Sequence, residues 1–160
     1  MDRESWEAEV TGHYAQVLRG LMAVAGRREA AEDALHDALL AAMSPGVIEG
    51  VERADAWLFS VGVRKLRRAA WRRRLDMFLG PSSASFPEPG LARVQALEVL
   101  AQLTPRQREL VVARYYLDLS FNEIAHHFGI SVSGATSTVT QALARIRRRD
   151  ALVEEQHGRA

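Results

Sequence analysis

The feature that most limits what this chain can fold into is a stretch near its middle, Gly80-Pro81-Ser82-Ser83-Ala84-Ser85-Phe86-Pro87-Glu88-Pro89-Gly90. It holds three prolines, two glycines and three serines in eleven residues. Proline lacks the amide donor that a helix needs, and such a segment has little apolar surface to bury. No regular element is expected to cross it. The chain is therefore expected to fold as two short halves, each around its own core, and 160 residues suffice for that. The expected division is a first domain over 1–79, a flexible linker over 80–92, a second domain over 93–150 and a tail over 151–160.

Both halves read as helix. Apolar residues recur at helical spacing, and no alternating run is long enough for a strand. The first helix is predicted from about Glu7 to Ala25, with Tyr14, Val17, Leu18, Leu21, Met22 and Ala25 on one stripe. The second is predicted from about Arg28 to Met43, with Ala31, Ala34, Leu35, Ala38, Leu39, Ala42 and Met43 inward. Ser44-Pro45-Gly46 ends it. A third is predicted from about Ala54 to Leu75 and ends strongly basic. The fold class is all-α: two small helical domains joined by a Pro/Ser-rich linker.

The second half carries its own punctuation. Thr104-Pro105-Arg106-Gln107 has the capping-box pattern with proline at the first helical position, and Ser120-Phe121-Asn122-Glu123 repeats that pattern. Gly129 falls where a helix ends, and Ser131 or Ser133 can cap the next one. Helix, short glycine-containing turn and helix make a helix-turn-helix, whose second helix enters the major groove with its N-terminal side chains toward the bases. The exposed positions there are expected to be Ser133, Gly134, Thr136, Ser137, Thr138 and Gln141.

Several function classes are excluded. There is no cysteine, so disulfides and thiolate chemistry are absent. Adjacent His126 and His127 point about 100° apart on a helix and cannot share one metal as an i, i+4 pair can. No phosphate-binding glycine loop or nucleophile elbow is present. No catalytic residue, metal or cofactor is expected. The N-terminus is acidic and mixed rather than basic then apolar, so a cytoplasmic protein with no membrane partner is expected.

Net charge is only +1, so distribution carries the information. Acidic residues gather at Glu29, Glu32, Asp33 and Asp37. Basic residues gather at Arg64, Lys65, Arg67, Arg68, Arg72, Arg73 and Arg74, interleaved with Trp71, and again at Arg145, Arg147, Arg148 and Arg149. The first basic run is either a solvated face or a track for the phosphates of opening DNA, with Trp71 or Phe59 available for stacking.

Leu103-Thr104-Pro105-Arg106-Gln107-Arg108-Glu109-Leu110 and Leu119-Ser120-Phe121-Asn122-Glu123-Ile124-Ala125 together resemble the promoter-reading region 4 of RNA polymerase sigma factors. Ala30-Ala31-Glu32-Asp33-Ala34-Leu35-His36-Asp37 resembles the polymerase-docking helix of their region 2. Trp57-Leu58-Phe59-Ser60-Val61, running on to Arg72-Arg73-Arg74, resembles that region's next helix. Both halves, in this order, resemble the extracytoplasmic-function (ECF) type of the sigma-70 family.

The resemblance implies a sigma factor whose partners are core RNA polymerase and double-stranded and melted promoter DNA, and it allows an anti-sigma factor as a further partner. It implies polymerase contact by Asp33, His36, Asp37 and Leu40. It implies minus-ten and melting contacts by Phe59, Arg64, Lys65, Arg67, Arg68, Trp71 and Arg72, with the loop from about Ser44 to Arg53 alongside. For the upstream element it implies Ser131, Ser133, Gly134, Thr136, Ser137, Thr138, Gln141, Arg145, Arg147 and Arg148.

The chain also departs from the family pattern. His36 stands where glutamine is usual, Leu39 where an aromatic is usual, and Gly62-Val63-Arg64 replaces a small-Arg-Asn step. Thr136, Thr138 and Gln141 stand where the family usually exposes lysine or arginine. Arginine is the common reader of guanine and releases counterions, which threonine and glutamine cannot do, although both can hydrogen-bond bases and Gln141 can pair with adenine. Two alternatives therefore stay open: a polymerase-binding regulator that no longer initiates transcription, and a stand-alone helix-turn-helix repressor.

Overall fold

The computed structural model describes residues 1–76 and 91–157, the backbone alone at the inner ends of this gap, at Asp150 and beyond Ala151. All regular structure among the described residues is helical, as the periodicity predicts. Among the described residues seven α-helices follow one another: α1 (Arg3–Ala25), α2 (Arg28–Ala42), α3 (Ala54–Asp76), α4 (Leu91–Ala101), α5 (Pro105–Tyr115), α6 (Phe121–Phe128) and α7 (Val132–His157). The chain divides into two compact units, Met1–Pro89 and Gly90–Ala160.

In the first unit α1, α2 and α3 pack pairwise. Asp2 caps α1 by accepting from the Ser5 amide at 2.8 Å, which starts the helix earlier than the apolar stripe alone predicts. Gly26, at φ 70°, closes it in the left-handed conformation that glycine adopts without steric cost. Val17, Leu21, Leu35, Leu58, Phe59 and Val63 are fully buried between the three helices. Each such side chain contributes about 1.5–3 kcal/mol by leaving water. Gly62 lets α1 and α3 approach closely, since a Cβ there would lie 2.8 Å from both Leu21 methyl carbons. Tyr14 and Met43, expected inward, are exposed.

Three contacts fix the chain entering α3. Glu9 of α1 accepts a hydrogen bond from the Ala54 amide at 3.0 Å, capping α3 from a distant part of the chain. Arg53 donates through Nε and a terminal nitrogen to the buried Asp55 carboxylate, at 3.2 and 2.7 Å. Trp6 meets Trp57 edge to face at 5.7 Å between centroids. A 3-10 turn, Ile48–Gly50, lies in the loop just before.

In the second unit both predicted capping boxes form, at Thr104 with Gln107 and at Ser120 with Glu123. Gly129, at φ 62°, ends α6, and Ser131 Oγ accepts from the Gly134 amide at 3.0 Å to begin α7. Leu110, Leu117, Leu119, Ile124, Ala135, Val139 and Ala142 are buried between α5, α6 and α7. Arg106 lies over the Phe128 ring at 5.5 Å and pairs with buried Glu109 at 3.5 Å, tying α5 to the end of α6.

Two elements differ from expectation. Helix α4 begins at Leu91, inside the segment read as linker, and α7 runs on to His157 through the segment read as a tail. Arg108 accounts for the docking of α4: Nε donates to the Leu100 carbonyl at 2.8 Å, and a terminal nitrogen donates to Ala101 and Leu103 at 3.4 Å each. The Leu100 carbonyl also accepts from the Leu103 amide at 3.1 Å, so backbone and guanidinium together satisfy this helix end. The remainder of the linker, from Gly80 to Gly90, lies outside the described residues.

Candidate nucleic-acid interface

On α2, Asp33, His36, Asp37 and Leu40 are all exposed, and their i, i+3, i+4, i+7 spacing puts them on one face. Leu40 is 51% exposed and Met43, one turn further, 70%. The acidic face thus continues through Leu40 to Met43, which the sequence reading placed inside. The helix buries its alanine stripe, Ala31, Ala34, Ala38 and Ala42, so the larger apolar residues are free to stand outward.

On α3, Arg64, Arg67, Arg68, Trp71 and Arg72 are exposed and Lys65 is half-buried. Trp71 is 67% exposed, a large apolar ring standing among guanidiniums. Burial first, and then the like charges of Arg68 and Arg67, hold Arg64 below the usual arginine value. An anion placed against this face relieves that repulsion. Side chains of Arg73 and Arg74 lie outside the described residues.

Phe59 requires a correction. Its side chain is fully buried between the helices, so it is core and presents no ring to a base. The exposed aromatic of α3 is Trp71. Lys65 also has a partner that the sequence did not reveal: its ammonium pairs with Asp37 of α2 at 3.4 Å.

On α7, Ser131, Ser133, Thr136, Ser137 and Gln141 are exposed, as are Arg145, Arg147 and Arg148. Gly134 and Thr138, expected fully outward, are half-buried. Gly134 is held under its cap, where an added Cβ would lie 3.0 Å from Ser131 Oγ. Thr138 stands on the flank and donates its hydroxyl to the Gly134 carbonyl at 2.8 Å. Thr136 donates likewise to Val132 at 2.9 Å. Ser131 Oγ is shared between its cap and the Ser133 hydroxyl, 3.2 Å away.

The helix-turn-helix thus offers a hydroxyl-rich N-terminal half followed by arginines. Thr140 belongs to the same exposed face and was missed, although its position three residues past Ser137 is the available signal. An open groove lies along one flank, lined by Gln102, Gln107, Gln141, Arg145, Arg148 and Arg149. Gln102, just past the end of α4, and Gln107 of α5 join it only through the fold. Among the described residues, no three His, Asp or Glu side chains group as a metal site, and no helix is long and apolar enough to cross a membrane.

Comparison with known proteins adds an independent line. Residues 93–146 match the family described as Sigma-70, region 4. The RNA polymerase sigma-E factor of Streptomyces coelicolor is 34% identical over 106 residues, covering 62% of this chain and 59% of that protein. The chain thus spans somewhat more than half the length of that relative. The ECF RNA polymerase sigma factor RpoE of Cereibacter sphaeroides is 25% identical over 156 residues, covering 88% of this chain and 84% of its own.

Among solved structures, the sigma factor RpoE crystallised with the anti-sigma factor NepR from Bartonella quintana has the same fold. The TM-score is 0.73 at 18% identity, covering 91% of this chain and 96% of that one. CnrH, solved with the cytosolic domain of CnrY, gives 0.66 at 20% identity, covering 96% and 90%.

Proposed function

We propose that this chain, which is similar to the sigma-70 family and to its extracytoplasmic-function members, binds core RNA polymerase and directs promoter recognition, DNA opening and transcription initiation. One observation carries the reading. Two separate helical units each present the surface that such a role requires, an acidic-to-apolar face on α2 beside a basic, tryptophan-bearing face on α3, and a helix-turn-helix in the second unit.

In this reading Asp33, His36, Asp37 and Leu40, extended by Met43, hold the polymerase. Arg64, Lys65, Arg67, Arg68 and Arg72 follow the phosphates of the opening duplex, and Trp71 stacks on an unpaired base. The flipped base costs a few kcal/mol to extract, which these contacts offset. Ser133, Thr136, Ser137 and Gln141 face base edges in the upstream element, while Arg145, Arg147 and Arg148 hold its backbone. The anti-sigma factor NepR named with the neighbour RpoE supports an anti-sigma protein as a further partner.

A second reading is favoured by the absence of any basic residue from Ser131 to Leu143: a polymerase-bound regulator that does not initiate. Purified chain mixed with core RNA polymerase tests the shared part of both readings. A stoichiometric complex on gel filtration is expected. Failure to associate, with DNA binding retained, would assign a stand-alone repressor instead.

A further inference from the structure

We propose that α7 is built to select an A·T-rich upstream element, with Gln141 pairing with an adenine and the Thr136 methyl lying against the methyl of a thymine. This rests on the reading of α7 as the promoter-facing helix and names the sequence class it takes.

Three observations combine. First, the Thr136 hydroxyl gives its proton to the Val132 carbonyl at 2.9 Å. With the oxygen turned back to the helix, the methyl is the group this exposed side chain presents outward. In the major groove only thymine carries a methyl group, and apolar contact with it distinguishes an A·T pair. Second, Gln141 is exposed, and among the described residues its carboxamide makes no hydrogen bond. A free carboxamide offers one donor and one acceptor side by side, the complement of adenine N7 and N6. Third, the commonest guanine contact, a bidentate arginine or lysine to O6 and N7, has no source on this face before Arg145.

The groove sets Gln141 beside two of the arginines of the same helix. Arg145 and Arg148 line it together with Gln141 and follow one and two turns along the helix, about 6 and 10 Å further at a rise of 1.5 Å per residue. Guanidiniums at that distance meet backbone phosphates and add affinity that is indifferent to sequence. Binding strength and sequence choice are thereby divided between the two halves of one helix. Ser133 and Ser137, able to bond to any base, add little selectivity.

The test uses the full chain, free and assembled with core RNA polymerase, and selects upstream duplexes from a randomised pool. An A·T-rich consensus is expected. Replacing its thymines by uracil should weaken wild type about fivefold to tenfold and leave Thr136→Ser unaffected, since serine keeps the hydroxyl and lacks the methyl. Replacing adenine by 7-deazaadenine should weaken wild type by about tenfold and leave Gln141→Ala unaffected. A G·C-rich consensus, or equal binding of thymine and uracil duplexes by wild type, overturns the proposal while leaving promoter reading intact. Selection of no duplex by either form overturns both.

Discussion

Asp37 on α2 and Lys65 on α3 form an ion pair of 3.4 Å, joining the face assigned to the polymerase to the face assigned to DNA. Both side chains are substantially exposed, at 53% and 34%. A pair of that kind contributes at most about 1 kcal/mol to stability. Its removal should therefore leave the fold intact. Asp33→Asn with Asp37→Asn is expected to lower affinity for core polymerase by about tenfold or more, the effect of losing about 1.4 kcal/mol at an interface. Helicity should stay unchanged, and the loss of stability should not exceed about 1 kcal/mol. Retained core affinity would remove the docking assignment.

The close approach of Gly62 to Leu21 leads to a second expectation. Gly62→Ala places a methyl group 2.8 Å from two buried carbons. Overpacking of this kind costs about 1–3 kcal/mol. Leu21→Ala leaves a cavity costing about 2–5 kcal/mol. The double variant should be destabilised by less than the sum, because the new methyl occupies part of that cavity. Strict additivity in denaturant unfolding would contradict the contact.

Glu9 anchors the start of α3 from α1. Glu9→Ala should cost about 0.5–2 kcal/mol, as the loss of other helix caps does. It should also raise amide exchange at Ala54 relative to Leu58, which is buried further into the same helix. Unchanged exchange at Ala54 would show that the cap does not act.

Trp71 and Phe59 separate core from surface on one helix. Trp71→Ala should leave the unfolding midpoint unchanged and weaken binding to a single-stranded minus-ten oligonucleotide, measured in the polymerase complex, by about 1–3 kcal/mol. Phe59→Ala should unfold the first unit, with a cost of about 3–5 kcal/mol. Weakened oligonucleotide binding in a stable Phe59→Ala protein would reverse this assignment.

The arginines of α7 and its threonines should respond differently. Arg147→Ala is expected to weaken duplex binding equally across sequences and to lower the salt slope by about one. Thr136→Lys should strengthen binding more than Thr138→Arg does, because Thr136 is exposed whereas Thr138 stands half-buried on the flank. Competition binding at several salt concentrations separates the two effects.

Much of this arrangement is legible in the residues themselves. Thr104 with Gln107 and Ser120 with Glu123 mark helix starts, because a capping box is a local pattern whose partners lie three residues apart. Gly129 marks a helix end for an equally local reason. Helix α4 was not legible. It follows Pro89-Gly90 directly, its apolar residues surround it rather than forming a stripe, and Arg108 eight residues beyond Leu100 supplies the caps for its end.

The site divides in the same way. The exposed spacing of Asp33, His36, Asp37 and Leu40 follows from one helix alone. Phe59 does not, since α3 packs on both α1 and α2 and buries side chains on more than one side. The pairing of Lys65 with Asp37, and the grouping of Gln102 and Gln107 with the arginines of α7 along one groove, exist only once distant helices meet.

The most direct test of the account is runoff transcription from a linear template carrying the selected upstream element and its minus-ten region. Core polymerase with the full chain should give a transcript of defined length. That transcript should be lost with core alone, with a scrambled promoter, or with the Asp33→Asn, Asp37→Asn variant. A stable complex between the chain and core that yields no promoter-dependent transcript would contradict initiation and assign the chain as a polymerase-bound regulator.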